Sequence, residues 1–180
     1  MEEQDQLTPL EFKYTFWFSY FRENRMKQVD GYEDNLNKVG DFQSAEDFWG
    51  FYQHMRRPDS LPKGCEFYLF KDGIRPLWED KQNKGGGRFV LHIKKQHSNK
   101  VWEDILLAML ATDQDHEKLN GIVINVRSWE ILISIWTKDL VDEEGMERYK
   151  NWIRMGLTIS ENVPIDYKKH PNPEDMKQKQ

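Results

Sequence analysis

Along EFKYTFWFSYF, residues 11 to 21, Phe12, Tyr14, Phe16, Phe18 and Tyr20 fall on one side by period two, and Lys13, Thr15, Trp17 and Ser19 on the other. That spacing predicts a strand with one buried face. Residues 22 to 40 lose the alternation, with Tyr32 isolated among charged and amide residues, and read as a long loop of the kind that carries binding groups. In QSAEDFWGFYQHM, Ser44 with Asp47 three positions on resembles a capping box, and Phe48, Phe51, Tyr52 and Met55 recur at helical spacing. EFYLF, the turn KDG and IRPLW read as two strands joined by a hairpin, and GRFVLHIKK as another strand after three glycines. From Trp102, the stripe Trp102, Ile105, Leu106, Met109 and Leu110 predicts a second helix. GIVINVR and EILISIWTK are apolar strands around a short turn, and a third helix is expected over residues 142 to 156.

Strand, helix, hairpin, strand, helix, hairpin, helix argues for an α+β fold, an antiparallel sheet with helices on one face. Residues 1–10 read as a flexible N-terminal segment, 11–167 as one domain, and 168–180, rich in Lys and Pro, as a disordered tail. If helices cover one face, alternation identifies what the other carries. Ile122, Ile124, Val126, Ile131, Ile133, Ile135, Phe89, Leu91 and Ile93 fit the core, which turns Arg88, Asn125, Arg127, Leu132, Ser134 and Trp136 outward. Trp17 and Trp102 are assigned to the core. One face thus gathers Trp78, Glu79, Arg88, Arg127 and Trp136. An indole stacked on a flat cation gains about 0.5–2 kcal/mol, a carboxylate beside it accepts N–H bonds from a purine edge, and arginine forks suit phosphates. The ligand class these residues fit is a charged purine with a polyphosphate.

Composition narrows the alternatives. The 26 Lys+Arg against 31 Asp+Glu leave a net charge of -5, so a wide nucleic-acid footprint is not expected, whereas a small anion held by a few local cations is. Cys65 is the single cysteine, which excludes an intrachain disulfide framework, and the acidic start MEEQDQLTPL has no apolar signal segment. The five His show no metal-type or catalytic cluster, and no apolar run approaches the ~20 residues needed to span a bilayer. Neither metal, cofactor nor membrane is expected. An enzyme acting on nucleotides would need metal-binding carboxylates or a poised nucleophile, and a single-strand RNA module a basic groove; neither constellation is evident.

FWFSYF, DFWGFYQHM, LFKDGIRPLWEDKQNKGGGRF and GIVINVRSWEILISIWTK resemble, in order and spacing, the successive motifs of the cap-binding translation initiation factor 4E family, over about residues 9 to 170. The resemblance implies a cupped antiparallel sheet of about eight strands, three helices on its convex back and the mRNA 7-methylguanosine cap on its concave side. It implies that Trp78 stacks on the methylated base, Glu79 reads its edge, Arg127 and Arg88 hold phosphates, and Trp136 lies beside the N7-methyl. The opposing stacking tryptophan of the main branch is Tyr32 here, and a phosphate-binding lysine is Leu132. Both departures resemble the 4E-homologous branch, whose members act mainly as translational repressors or weaker cap binders. Weaker cap binding than in the main branch is expected.

On the helical side, Trp49 sits near the edge of its stripe and Leu107 off its own, which points to a partner site. The resemblance implies that Trp49, with Pro9, Asp104 and Leu107, grips proteins carrying a Tyr-x4-Leu-hydrophobic helix. Thr8, Ala45 and Glu103 replace a family histidine, valine and leucine, and the family's C-terminal phosphorylated serine has no counterpart in HPNPEDMKQKQ. Capped mRNA and such proteins are the expected partners of a monomer that resides in the cytoplasm, with a nuclear pool as a further location. The other reading is an adaptor that works through its dorsal helices with weak or no cap binding.

Overall fold

The computed structural model describes residues 7–21, 32–111, 117–139 and 142–171. In chain order the elements are β1 (Pro9–Tyr20), β2 (Asn37–Ser44), α1 (Ala45–Tyr52), β3 (Cys65–Lys71), β4 (Gly87–Lys94), α2 (Ser98–Leu110), β5 (Leu119–Val126), β6 (Glu130–Thr137), α3 (Glu143–Leu157) and β7 (Asp166–Lys169), with short 3-10 turns at Tyr32–Asn35, Pro58–Ser60 and Lys95–His97. The strands form one curved antiparallel sheet in the order β2-β1-β3-β5-β6-β4-β7.

The alternation on β1, β4, β5 and β6 decides the layering. Phe16, Leu69, Phe89, Leu91, Ile122, Ile124, Ile131, Ile133 and Ile135 are fully buried in one cluster with Phe48, Trp102, Ile105, Leu106 and Ile153 from the three helices. Each helix starts or stops for a local reason. Ser44 Oγ accepts the Asp47 amide at 3.1 Å at the start of α1, and Asp142 Oδ1 accepts the Gly145 amide at 2.6 Å at the start of α3, satisfying donors that no earlier turn can take. Leaving α3, Thr158 adopts φ 49°, the left-handed form in which helices commonly end. The α2 helix begins at Ser98, ahead of its apolar stripe, and there the Ser98 hydroxyl donates back to the Lys95 carbonyl at 2.6 Å.

Four expectations are corrected. The described sheet has seven strands, because IRPLW does not pair as a hairpin with EFYLF. The two edges of β3 are already taken by β1 and β5, Pro76 has no amide to donate, and the Arg75 and Leu77 carbonyls are satisfied instead by the side-chain amide of Asn83, at 2.9 and 2.8 Å. The loop read over 22–40 ends earlier, since β2 starts at Asn37; this is a polar edge strand with one side chain in the core, Phe42, so alternation does not announce it. Residues 22–31 lie outside the described residues. At the C-terminal end, β7 runs through Lys169 along β4, and His170 is buried with its amide donating to the Gly86 carbonyl at 2.9 Å. Lys168–His170 are therefore part of the fold, and residues 172–180 lie outside what is described; at the other end, β1 already includes Pro9 and Leu10. Finally, Trp17 does not join the helix-backed core. It packs on the opposite face, against a small cluster of Tyr68, Phe70, Ile74, Val123 and Trp136.

Candidate nucleotide-binding site

That second cluster is the floor of a cavity on the helix-free face. Gly121 makes it possible: a Cβ there would come within 2.3 Å of the Phe70 ring, so only glycine lets Phe70 lie across β5 and meet Trp136 edge to face, centroids 5.6 Å apart. The cavity, of about 370 Å³, is lined by Trp78, Arg88, Arg127 and Trp136 together with Glu66, Asn125, Leu132, Ser134 and Lys168.

Trp78 is half-buried and held by its loop. Ile74 and Leu77 are buried, and the fully buried Asn83 ties the loop to β5 by accepting from Asn120 Nδ2 at 2.9 Å; the same Asn120 amide donates to the Gln82 carbonyl at 2.7 Å. Gly86 closes the segment where a Cβ would lie 2.1 Å from the Thr137 carbonyl. The three glycines before Arg88 thus serve backbone geometry and not phosphate binding by a loop: Gly85 takes φ 83°, Gly86 approaches β6, and Gly87 lies against Tyr167 of β7. Glu79, next to Trp78, is exposed and does not line the cavity. Tyr32 opens the 3-10 turn, whose placement is set by Leu36, packed on the second cluster, and by an ion pair from Glu33 to Arg75 in the Trp78 loop. The Tyr32 side chain itself is outside the described residues. The two segments that the sequence reading assigned to opposite sides of a base are thus tethered to each other.

Arg88 projects from β4 between its register partners Trp136 and Lys168, with its guanidinium carbon 5.9 Å from the Trp136 ring centroid. Arg127 is exposed at the end of β5, its guanidinium 3.6 Å from Glu130 and its amide closing the β5–β6 turn on the Glu130 carbonyl at 3.0 Å. Trp136 is only 7% exposed; it forms a wall and does not stand free. Behind it lies His170, ring centroids 4.2 Å apart. Burial, and then the Arg88 charge, push the His170 pKa down to about 4, so the imidazole is neutral at physiological pH and adds no charge beneath the site.

Sequence reasoning missed Glu66 and Lys168. Glu66 stands at the cavity wall, its carboxylate accepting from the Tyr68 hydroxyl, the Asn125 amide and Ser19 Oγ. Its period-two position opposite Asn125 was a usable signal. Lys168 carried none, because its place depends on β7 pairing with β4.

On the helical side, Trp49 is 44% and Leu107 37% exposed. The Trp49 ring stands edge-on to Phe48 and Tyr52 at 5.0 and 5.7 Å. Asp104 pairs with Lys100, and Glu103 with Arg57 at 3.6 Å; that guanidinium lies 4.2 Å over the Tyr52 ring, so the charge replacing a family leucine has a partner on the segment after α1. Pro9 is exposed, and the neighbouring Thr8 clamps the start of α1 by accepting from the Ala45 amide and donating to Glu46, both at 2.9 Å.

The family profile of Eukaryotic initiation factor 4E matches residues 9–180. The chain belongs to that family. Its members are cap-binding translation initiation factors, not enzymes. Among relatives, the chain is 35% identical over 163 residues to the Eukaryotic translation initiation factor NCBP of Oryza sativa subsp. japonica, covering 90% of this chain and 71% of the rice protein. Among solved structures, Ascaris suum eIF4E-3 in complex with the m2,2,7G cap superposes with a TM-score of 0.84 at 30% identity, over 92% of this chain and 93% of that one. Caenorhabditis elegans eIF4E-3, in complex with the 4E-binding protein Mextli and cap analog, does so with a TM-score of 0.85 at 29% identity, over 96% of both chains.

Proposed function

We propose that this initiation factor 4E family member binds the 7-methylguanosine cap of mRNA in the cavity on the helix-free face. In this reading the methylated base stacks between Tyr32 and Trp78 and Glu79 accepts its edge N–H groups. Arg127 and Arg88 take the phosphates, and Trp136 walls the N7-methyl side. The observation that supports it most is the convergence of Trp78, Arg88, Arg127 and Trp136, from a loop, two strands and the β5–β6 turn, on one cavity. The chain acts in translation initiation as a regulator of the 4E-homologous kind. Its proteins of Tyr-x4-Leu-hydrophobic type dock on Trp49 and Leu107, with Pro9 and Asp104 at the border. Leu132 at the cavity wall and Tyr32 in place of indole set the cap affinity below that of a two-tryptophan relative.

Tryptophan fluorescence titrated with 7-methyl-GTP and, in parallel, with GTP tests the reading. Quenching by the methylated nucleotide alone is expected. Equal quenching by both, or none, would refute cationic stacking and leave an adaptor working through its helices. For the dorsal site, Trp49→Ala should abolish capture of a Tyr-x4-Leu-hydrophobic peptide while retention on cap resin persists; joint loss would mean unfolding.

A further inference from the structure

The cavity of the Trp78 site does not end at Arg127. A second, larger one of about 890 Å³ lies at the end of the sheet where β1, β3 and the β5–β6 turn meet, lined by Phe21, Lys63, Gly64 and Trp129 among others. The two share Glu66, Asn125 and Arg127. Trp129 stands in that turn, two residues past Arg127, and is 91% exposed, more than any other large hydrophobic side chain among the described residues. Nothing in the packing of the sheet calls for an indole there.

We infer that this second cavity receives the first nucleotides that follow the cap in a capped RNA, with Trp129 as the platform on which a base stacks. The inference rests on the cap-binding reading and extends it along the same ligand. A polyphosphate held by Arg127 leads past that residue, and the short turn keeps Trp129 within a few residues' reach of it. An indole face accepts any base, so the site recognises a strand attached to a cap and not a sequence. The cavity walls are mostly apolar, with Lys63 the added cation. The acidic groups at the junction are turned to partners of their own. Glu66 is held by Tyr68 and Asn125, and Glu130 accepts from His92 at 2.8 Å and pairs with Arg127. Of the two, Glu130 is offset in charge by the Arg127 guanidinium 3.6 Å away. An acidic chain then needs no wide basic surface, because the cap supplies the anchor and the second cavity an increment.

The test is calorimetric titration of the full chain with 7-methyl-GTP, with a capped hexanucleotide and with the same hexanucleotide uncapped, for wild type, Trp129→Ala and Trp129→Phe. The capped hexanucleotide should bind about five- to thirtyfold tighter than 7-methyl-GTP. Trp129→Ala should remove that increment with 7-methyl-GTP affinity unchanged, and Trp129→Phe should keep part of it. Equal affinity of the wild type for both capped ligands would overturn the inference. So would an unchanged increment in Trp129→Ala, which would leave the indole to a protein partner. Equal weakening of both ligands in the variant would mean that Trp129 acts on the cap cavity itself, and also overturns it. A wild type that binds no 7-methyl-GTP would remove the cap reading first and this one with it.

Discussion

The two faces of the sheet are made by adjacent residues of the same strands and share no chemistry. Toward the helices, β5 and β6 present Ile122, Ile124, Ile131, Ile133 and Ile135, all at 0% exposure. One residue along, the same strands present Val123, Asn125, Leu132, Ser134 and Trp136 to a cavity open to water. The first face is filled to completion by three helices and carries the stability. The second is covered only in part, by a few aromatic rings and two tethered loops, and its polar side chains line a cavity that a ligand can enter. The polar positions of the binding face can vary here with little cost to the fold, because the larger hydrophobic cluster lies on the other side of the backbone and only the smaller one lies beneath the cavity.

The largest test of that division is Trp102→Ala. Removing a fully buried indole from the helix-backed core should cost about 3–5 kcal/mol in chemical denaturation and take cap and partner binding down together. Arg127→Leu on the open face should do the opposite. Cap-analogue affinity should fall about tenfold to a hundredfold, the loss of a charge-assisted contact, while the denaturation midpoint stays within the small range of exposed substitutions. A midpoint shift as large as that of Trp102→Ala would abolish the distinction between the faces.

His170 sharpens the comparison, since it is a titratable group buried against the open face, behind Trp136. Its folded pKa of about 4 lies below the ordinary value of 6.5, so between those values the unfolded chain binds a proton that the folded chain does not. The stability this burial contributes is fully present above about pH 6.5 and lost as pH falls toward 4. Wild type should lose roughly 2 kcal/mol between pH 7 and pH 5 beyond what His170→Phe loses, measured by denaturation at each pH. Identical pH profiles would show that the second cluster does not enclose His170. The smallest expected effect is a gain. Leu132→Lys adds a cation at the cavity wall, and 7-methyl-GTP affinity should rise about three- to tenfold at low salt, less at high salt.

Legibility followed the same division. The buried face announced itself through isoleucine and phenylalanine alternation on β1, β4, β5 and β6, and the outward positions of Arg88, Arg127 and Trp136 followed by parity. The pieces that failed are those whose structure comes from elsewhere. IRPLW is held by the amide of Asn83 and not by a strand partner. Polar β2 and β7 are strands only because β1 and β4 offer free edges. Trp17 was misassigned because, with aromatics on both faces of β1, composition does not tell the deep core from the shallow floor.

By itself the amino-acid sequence determined the three helices, the cap at Ser44, the alternating faces of β4, β5 and β6, and the family, since all of these are written in spacing along the chain. Only the tertiary structure decided that Glu66 and Lys168 stand beside Trp78 and Arg88, that Glu33 and Arg75 tie two loops together, and that a second cavity opens past Arg127. Those are contacts between residues far apart in sequence, and their distances are set by sheet order and register, quantities that no local pattern contains.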